Sequence, residues 1–229
     1  MHVVFIILLL LLLIFGPQWW ARYTFRRYAG ELERIPGTGG ELARHLLDRF
    51  GMTDVAVEKT GEGGDHYDPE RRVVCLGPGN YEQRSLTAVA VAAHEVGHAL
   101  QHQRGEPKLL VRQRLVRLAQ TTQKFGAGAM LLLPLAMAVT RAPSAGLTMA
   151  AIGLGSMASA TLVHLVTLPV EFDASFGKAL PILRAGEYIR SGDEPAVRRI
   201  LRAAALTYVA GSLASLLNLA RWIAFLRRA

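Results

Sequence analysis

Hydrophobic positions fall into four long runs, separated by two polar segments. The first run, Val3 to Trp20, carries no charge. About 20 mostly apolar residues cross a bilayer core, so this run predicts a membrane anchor. Trp19 and Trp20 suit the headgroup level, and Arg22, Arg26 and Arg27 follow them. A cleaved signal peptide would show a basic start and a small-residue cleavage site; the chain has neither. The second run, Phe125 to Thr140, lies between Lys124 and Arg141, and the third, Ala145 to Val170, is uncharged. A turn at Arg141-Ala-Pro-Ser joins them as a hairpin, and Gly146, Ala150, Gly153 and Ser156 have the spacing that lets membrane helices approach closely. The fourth, Ala203 to Ala220, is diluted by Ser212, Ser215 and Asn218, so both a span and an interfacial helix remain open for it.

The polar segments have a mixed pattern. Residues 21–34 read as a short helix leaving the anchor, Gly37 to Gly40 break it, and Glu41 to Gly51 read as an amphipathic helix closed by glycine. Two β-like runs follow, Val55 to Thr60 and Arg72 to Leu76, with a turn-rich stretch from Gly61 to Pro69 between them. Ser85 to Gly105 predicts a helix with Ser85 as N-cap and Gly105 as its stop. The chain therefore divides into an anchor (1–20), a polar domain (21–124), a transmembrane hairpin (125–170), a second polar segment (171–202) and a C-terminal transmembrane or interfacial helix (203–229).

Composition supports a membrane reading. Of 229 residues 51% are hydrophobic and 19% charged, whereas a soluble domain carries about a quarter charged residues. The same figures exclude collagen, disorder and coiled coil. A lone cysteine, Cys75, excludes an internal disulfide framework and a cysteine-based zinc site. The net charge is +8, and the basic residues are concentrated: 16 Lys/Arg with 13 Asp/Glu in residues 21–124, and 6 with 5 in 171–202. Only Arg141, Arg221, Arg227 and Arg228 lie elsewhere, so the positive-inside rule puts both polar segments in the cytoplasm and the chain in the plasma or inner membrane. Lys108, Arg112, Arg114, Arg117 and Lys124 recur without interleaved aromatics. That stripe reads as a lipid-facing surface and not as a nucleic-acid site.

The chemistry sits in His94-Glu95-Val96-Gly97-His98. Two histidines four apart lie about 40° apart around a helix, so their imidazoles converge on one point. Glu95, offset by one residue, reaches a water beside the metal instead of the metal itself, as a general base must. A catalytic zinc takes a third protein ligand and keeps one position open. His102 lies near the helix end with no metzincin spacing before it. His164 is an ionisable group inside the third apolar run and reads as a candidate substrate-side or supporting residue. Glu171 opens the acidic cluster Glu171-Phe-Asp-Ala-Ser where that run ends, and is the favoured third ligand. Cys75 has no activating neighbour in sequence and reads as a small core residue.

AAHEVGHALQH, TLPVEFDAS, the DHYDP segment and the N-terminal anchor together resemble the YugP-type membrane zinc metallopeptidases over nearly the whole chain. More distantly they are similar to HtpX-type and CAAX-processing proteases. In those proteases the first Glu of an E-x-x-A-D-like motif is a zinc ligand, and here that position is Glu171, with Ala174 as the alanine. Ser175 stands where they carry Asp, so Asp173 is the candidate to support a ligand in its place. The resemblance also makes His66, in His66-Tyr67-Asp68-Pro69, a candidate at the edge of a substrate cleft. An edge strand beside the catalytic helix would bind peptide by β-addition, and Arg72 to Leu76 is the candidate edge.

The fold expected is a mainly α integral membrane protein: three or four transmembrane helices and a small α+β zincin-like (gluzincin) cytoplasmic domain. The function expected is zinc-dependent proteolysis of peptide or membrane-protein substrates at the bilayer, with His94, His98 and Glu171 holding Zn²⁺ and Glu95 moving the proton. A non-enzymatic membrane scaffold with a structural metal is the alternative, and a zinc hydrolase of a non-peptide amide or ester is a third reading. Glu95 separates the first two, because a structural site has no use for it.

Overall fold

The structure is a computed structural model that describes residues 2–140, 151, 155, 163 and 166–206. Its centre is α4 (Leu86–Gln103). Ser85 caps it, the hydroxyl accepting from the Ala88 amide at 3.1 Å, and Gly105 ends it with φ +59°. Apart from His94, Glu95, His98 and Gln101, almost every α4 residue is small or aliphatic. A helix apolar on all sides is stable only when covered on all sides, and the other elements do this.

α2 (Gly39–Arg49) covers one flank. Thr38 and Glu41 form a reciprocal capping box, so the helix starts two residues before the expected Glu41. Gly39 and Gly40, two of the three glycines in the expected break, lie in its first turn. A Cβ on Gly39 would stand 2.1 Å from the Asn80 carbonyl oxygen. Leu46 and Leu47 of α2 join Met52, Val55, Val74, Leu76, Val89 and Val96 in the core.

Three short strands cover the next flank: β1 (Ala56–Lys59), β2 (His66–Asp68) and β3 (Val73–Leu76). The sheet order is β1-β3-β2, with β1 parallel and β2 antiparallel to β3. β3 is therefore central and wholly buried, which corrects the expectation that Arg72 to Leu76 forms a free edge; β1 and β2 are the edges. Asp68 starts the β2–β3 turn, its carboxylate accepting from the amides of Glu70 and Arg71. α3 (Pro78–Glu82) links the sheet to α4.

The remaining sides of α4 are closed by residues from the far end of the chain. Helical residues 166–172 pass into a π-helix, Asp173–Ala179, then into the helical turn Leu180–Ala185. Leu183, Ile200 and Leu201 bring this part into the same core.

The expectation of three or four transmembrane helices is corrected. Among the described residues no helix is long and apolar enough to cross a membrane. α1 (His2–Arg27) continues past Trp20 through Arg22, Arg26 and Arg27, and its Ala21 and Thr24 are buried against the domain. α5 (Pro107–Thr140) carries Lys108, Arg112, Arg114, Arg117 and Lys124 along its first half. Residues 141–144 of the expected hairpin turn, most of the third apolar run and residues 207–220 of the fourth lie outside the described residues.

Candidate metal centre

Two elements far apart in sequence bring three ligand atoms together. His94 and His98 of α4 have ring centroids 4.7 Å apart. Glu171, from the turn entering the π-helix, places Oε2 at 3.2 Å from His94 Nε2 and 3.1 Å from His98 Nε2. All three ligand atoms lie within 4.8 Å of one another, and all three residues are buried. Gly97 permits the approach: a Cβ there would stand 2.8 Å from the Ala174 carbonyl oxygen.

The hydrogen bonds behind the imidazoles fix their proton positions. Gln101 Nε2 donates to the Val170 carbonyl at 3.0 Å and to Asp173 Oδ2 at 2.7 Å. This turns its Oε1, an acceptor only, toward His98 Nδ1 at 2.9 Å, so Nδ1 carries the proton. The Ser175 hydroxyl donates to the Leu201 carbonyl at 3.2 Å and accepts from His94 Nδ1 at 3.0 Å. Both rings thus turn Nε2 lone pairs toward the Glu171 carboxylate. Two imidazole nitrogens and a carboxylate oxygen facing one point is a donor set that requires a cation. It matches the two-histidine, one-glutamate set of catalytic zinc, so the residues fit the metal. Burial works against ionisation of Glu171; when no metal is bound, positive charge on His98 and His94 in place of their lone pairs holds its carboxyl well below the usual carboxylate range. Its Oε1 makes no hydrogen bond, and Arg112 Nη2 stands 3.3 Å away.

Glu95 is buried beside the ligands, and burial pushes its carboxyl up to about 7. It lines a cavity of about 540 Å³ together with the three ligands, His66 and Arg112. A second cavity of about 530 Å³ shares His98, Tyr67 and Arg112 with the first, so the cleft continues on both sides of these residues.

The other candidates take definite places. His66 is exposed on the cleft rim, its Nδ1 2.6 Å from the Gly64 carbonyl. Asp173 accepts from Gln101, whose Oε1 faces His98 Nδ1, while the Ser175 hydroxyl meets His94 Nδ1 directly. His102 stays outside the ligand group and bonds the Tyr67 hydroxyl through Nδ1 at 2.8 Å. His164 lies outside the described residues. Cys75 is buried in β3. Sequence reasoning missed Gln101 and Arg112 as site residues. In sequence Arg112 belongs to a stripe that reads as lipid-facing, and the one-turn spacing from His98 is the local signal for Gln101.

A family model described as "Putative neutral zinc metallopeptidase" matches residues 3–227. The chain is 40% identical over 214 residues, 91% of each chain, to a protein of Bacillus subtilis (strain 168) named "Putative membrane protease YugP". No solved structure matches it. With the family matched over nearly its whole length and a two-histidine, one-glutamate centre at its core, this chain belongs to the neutral zinc metallopeptidase family so described.

Proposed function

We propose that the chain is a zinc endopeptidase that cleaves extended polypeptide segments at a membrane surface, with Glu95 as its general base. The observation that carries this reading is the pair of imidazoles locked by Gln101 and Ser175 so that both Nε2 atoms converge on Glu171 Oε2. Zinc held there supplies the charge that acidifies a water and polarises the scissile carbonyl. Glu95 takes a proton on its carboxylate as the water attacks and passes it to the leaving amine nitrogen. A carboxyl near neutrality suits both halves of that task. Arg112, reaching into both halves of the cleft, offers guanidinium donors to substrate carbonyls.

A cleft open on both sides suits an endopeptidase, because chain must leave the site in two directions. β2 is the sheet edge beside it, and pairing of substrate with that edge would align the scissile bond along α4. The membrane part of the reading rests on the name of the Bacillus relative and on α1. Leu12, Phe15, Trp19 and Tyr23 are exposed along α1, near Arg22, Arg26 and Arg27, a pattern suited to an anionic lipid interface. Gln18, Arg22 and Phe25 of the same helix line the cleft, which would bring substrate in at that surface.

The test compares zinc content and casein cleavage in wild type, Glu95→Gln and Glu171→Ala. Glu95→Gln should keep zinc and lose cleavage; Glu171→Ala should lose both. Full activity in Glu95→Gln would overturn the assignment of Glu95 as general base, and wild type that holds zinc without cleaving would favour a structural metal.

A further inference from the structure

Beneath the metal centre lies a buried ammonium that the ligand set does not account for. Lys178, on the π-helix, is 7% exposed. Its Nζ pairs with Glu106 Oε1 at 2.8 Å and with Asp173 Oδ2. That same Asp173 oxygen accepts from Gln101 Nε2, whose amide holds the proton on His98 Nδ1. Gln101 also binds the Val170 carbonyl, the peptide just before Glu171. One amide therefore sets the tautomer of the second ligand and the backbone position of the third.

Burying a lysine is strongly unfavourable unless carboxylates surround it, so a lysine serving only to join two helices would be matched equally well by apolar packing. Two carboxylates converge on it here, and one of them is the acceptor that orients the Gln101 amide. The Asp173 side chain is 38% exposed, with solvent on its open side. Without Lys178 it has a competing environment to turn into.

We infer that Lys178 and Glu106 are positioning residues for the metal centre: they hold Asp173 in place, and through Asp173 and Gln101 they fix the orientation of His98. This rests on the zinc reading of the site. Each link is a direct hydrogen bond or ion pair, and the series crosses from the start of α5, through the π-helix, to α4.

The test measures zinc dissociation constants of the full chain by competition with a chromogenic chelator, with thermal midpoints and the Co²⁺ absorption spectrum alongside. Residues that act behind metal ligands typically change affinity by about 10–100-fold, so Lys178→Met should weaken zinc binding by about tenfold and alter the Co²⁺ bands. Lys178→Arg should restore most of the affinity. In a Gln101→Ala background, Lys178→Met should produce no further loss. An equal loss in both backgrounds, or unchanged affinity in Lys178→Met, would overturn the inference. Should Lys178→Met not fold, Glu106→Gln, which removes the other carboxylate that holds Lys178, decides the matter by the same comparison with and without Gln101→Ala. Wild type that binds no zinc would instead overturn the zinc reading itself.

Discussion

Gly97→Ala isolates what the close packing of α4 on the π-helix does for the metal centre. The new Cβ would lie 2.8 Å from the Ala174 carbonyl oxygen and 3.4 Å from its carbonyl and α-carbons. Carbon–oxygen contacts in proteins begin at about 3.3 Å, so the backbone at Ala174 must retreat by roughly 0.5 Å. Overpacking of this kind costs about 1–3 kcal/mol, while alanine in a helix interior regains about 1 kcal/mol over glycine. The net loss of stability is then about 0–2 kcal/mol, which lowers the thermal midpoint by a few degrees in a chain of this size. The metal should respond far more strongly. Ala174 lies between Glu171 and Ser175, and metal–ligand distances tolerate only about 0.2 Å. We expect zinc affinity to fall at least tenfold with the fold intact, measured by chelator competition and circular dichroism on one sample. Gly128→Ala in α5 is the control, since a Cβ there meets nothing within 4 Å; it should be neutral or stabilising and leave zinc binding unchanged. If Gly97→Ala behaved like Gly128→Ala in both assays, the steric account of the site would be wrong.

Other perturbations separate the supports of the site from those of the fold. Ser175→Ala removes the acceptor behind His94 and should weaken zinc binding about 10–100-fold with little change in urea midpoint; undiminished zinc affinity would contradict the role given to that hydroxyl. Gly39→Ala forces a Cβ against the Asn80 and Ala88 carbonyl oxygens. It should cost about 2 kcal/mol or more in chemical denaturation, and a midpoint equal to wild type would refute that packing. The hydrogen bonds from Arg34 hold the Asp193 carboxyl below its ordinary value, so this pair stabilises the fold above the ordinary aspartate range, near pH 4, and ceases to do so as pH falls through the depressed value. Urea midpoints of wild type and Arg34→Ala should therefore differ at pH 6 and draw together as pH falls below the ordinary aspartate value; a gap that does not shrink at all with acidification would rule this linkage out.

Local chemistry made part of this legible. Ser85 and Gly105 bound α4 where the sequence places them, because capping is decided within one turn. His94 and His98 are legible from spacing alone. Glu171 needed the acidic cluster and the family resemblance, since 73 residues separate it from His98. Gln101, Arg112 and Lys178 were not legible, because their roles come from partners brought together only by folding. β2 has three residues and a polar surface, too short for alternation to register, so the central place of β3 went unseen. Gly39 and Gly40 read as helix breakers, yet they begin α2 because a neighbouring backbone needs the space a side chain would fill. Hydropathy failed differently: it scores residues in sequence, and it could not register that Ala21, Thr24 and Arg112 turn toward the domain.

The 73-residue separation between His98 and Glu171 also has a consequence for biosynthesis. Chains emerge from the ribosome at about 5–20 residues per second, so roughly 4–15 s pass between synthesis of the paired histidines and synthesis of their carboxylate partner. During that interval the nascent polypeptide has two of its three zinc ligands and an α4 still uncovered on the side the π-helix will occupy. Until that carboxylate is made, the nascent chain can hold a cation only through two imidazoles, and the three-residue group forms late in synthesis.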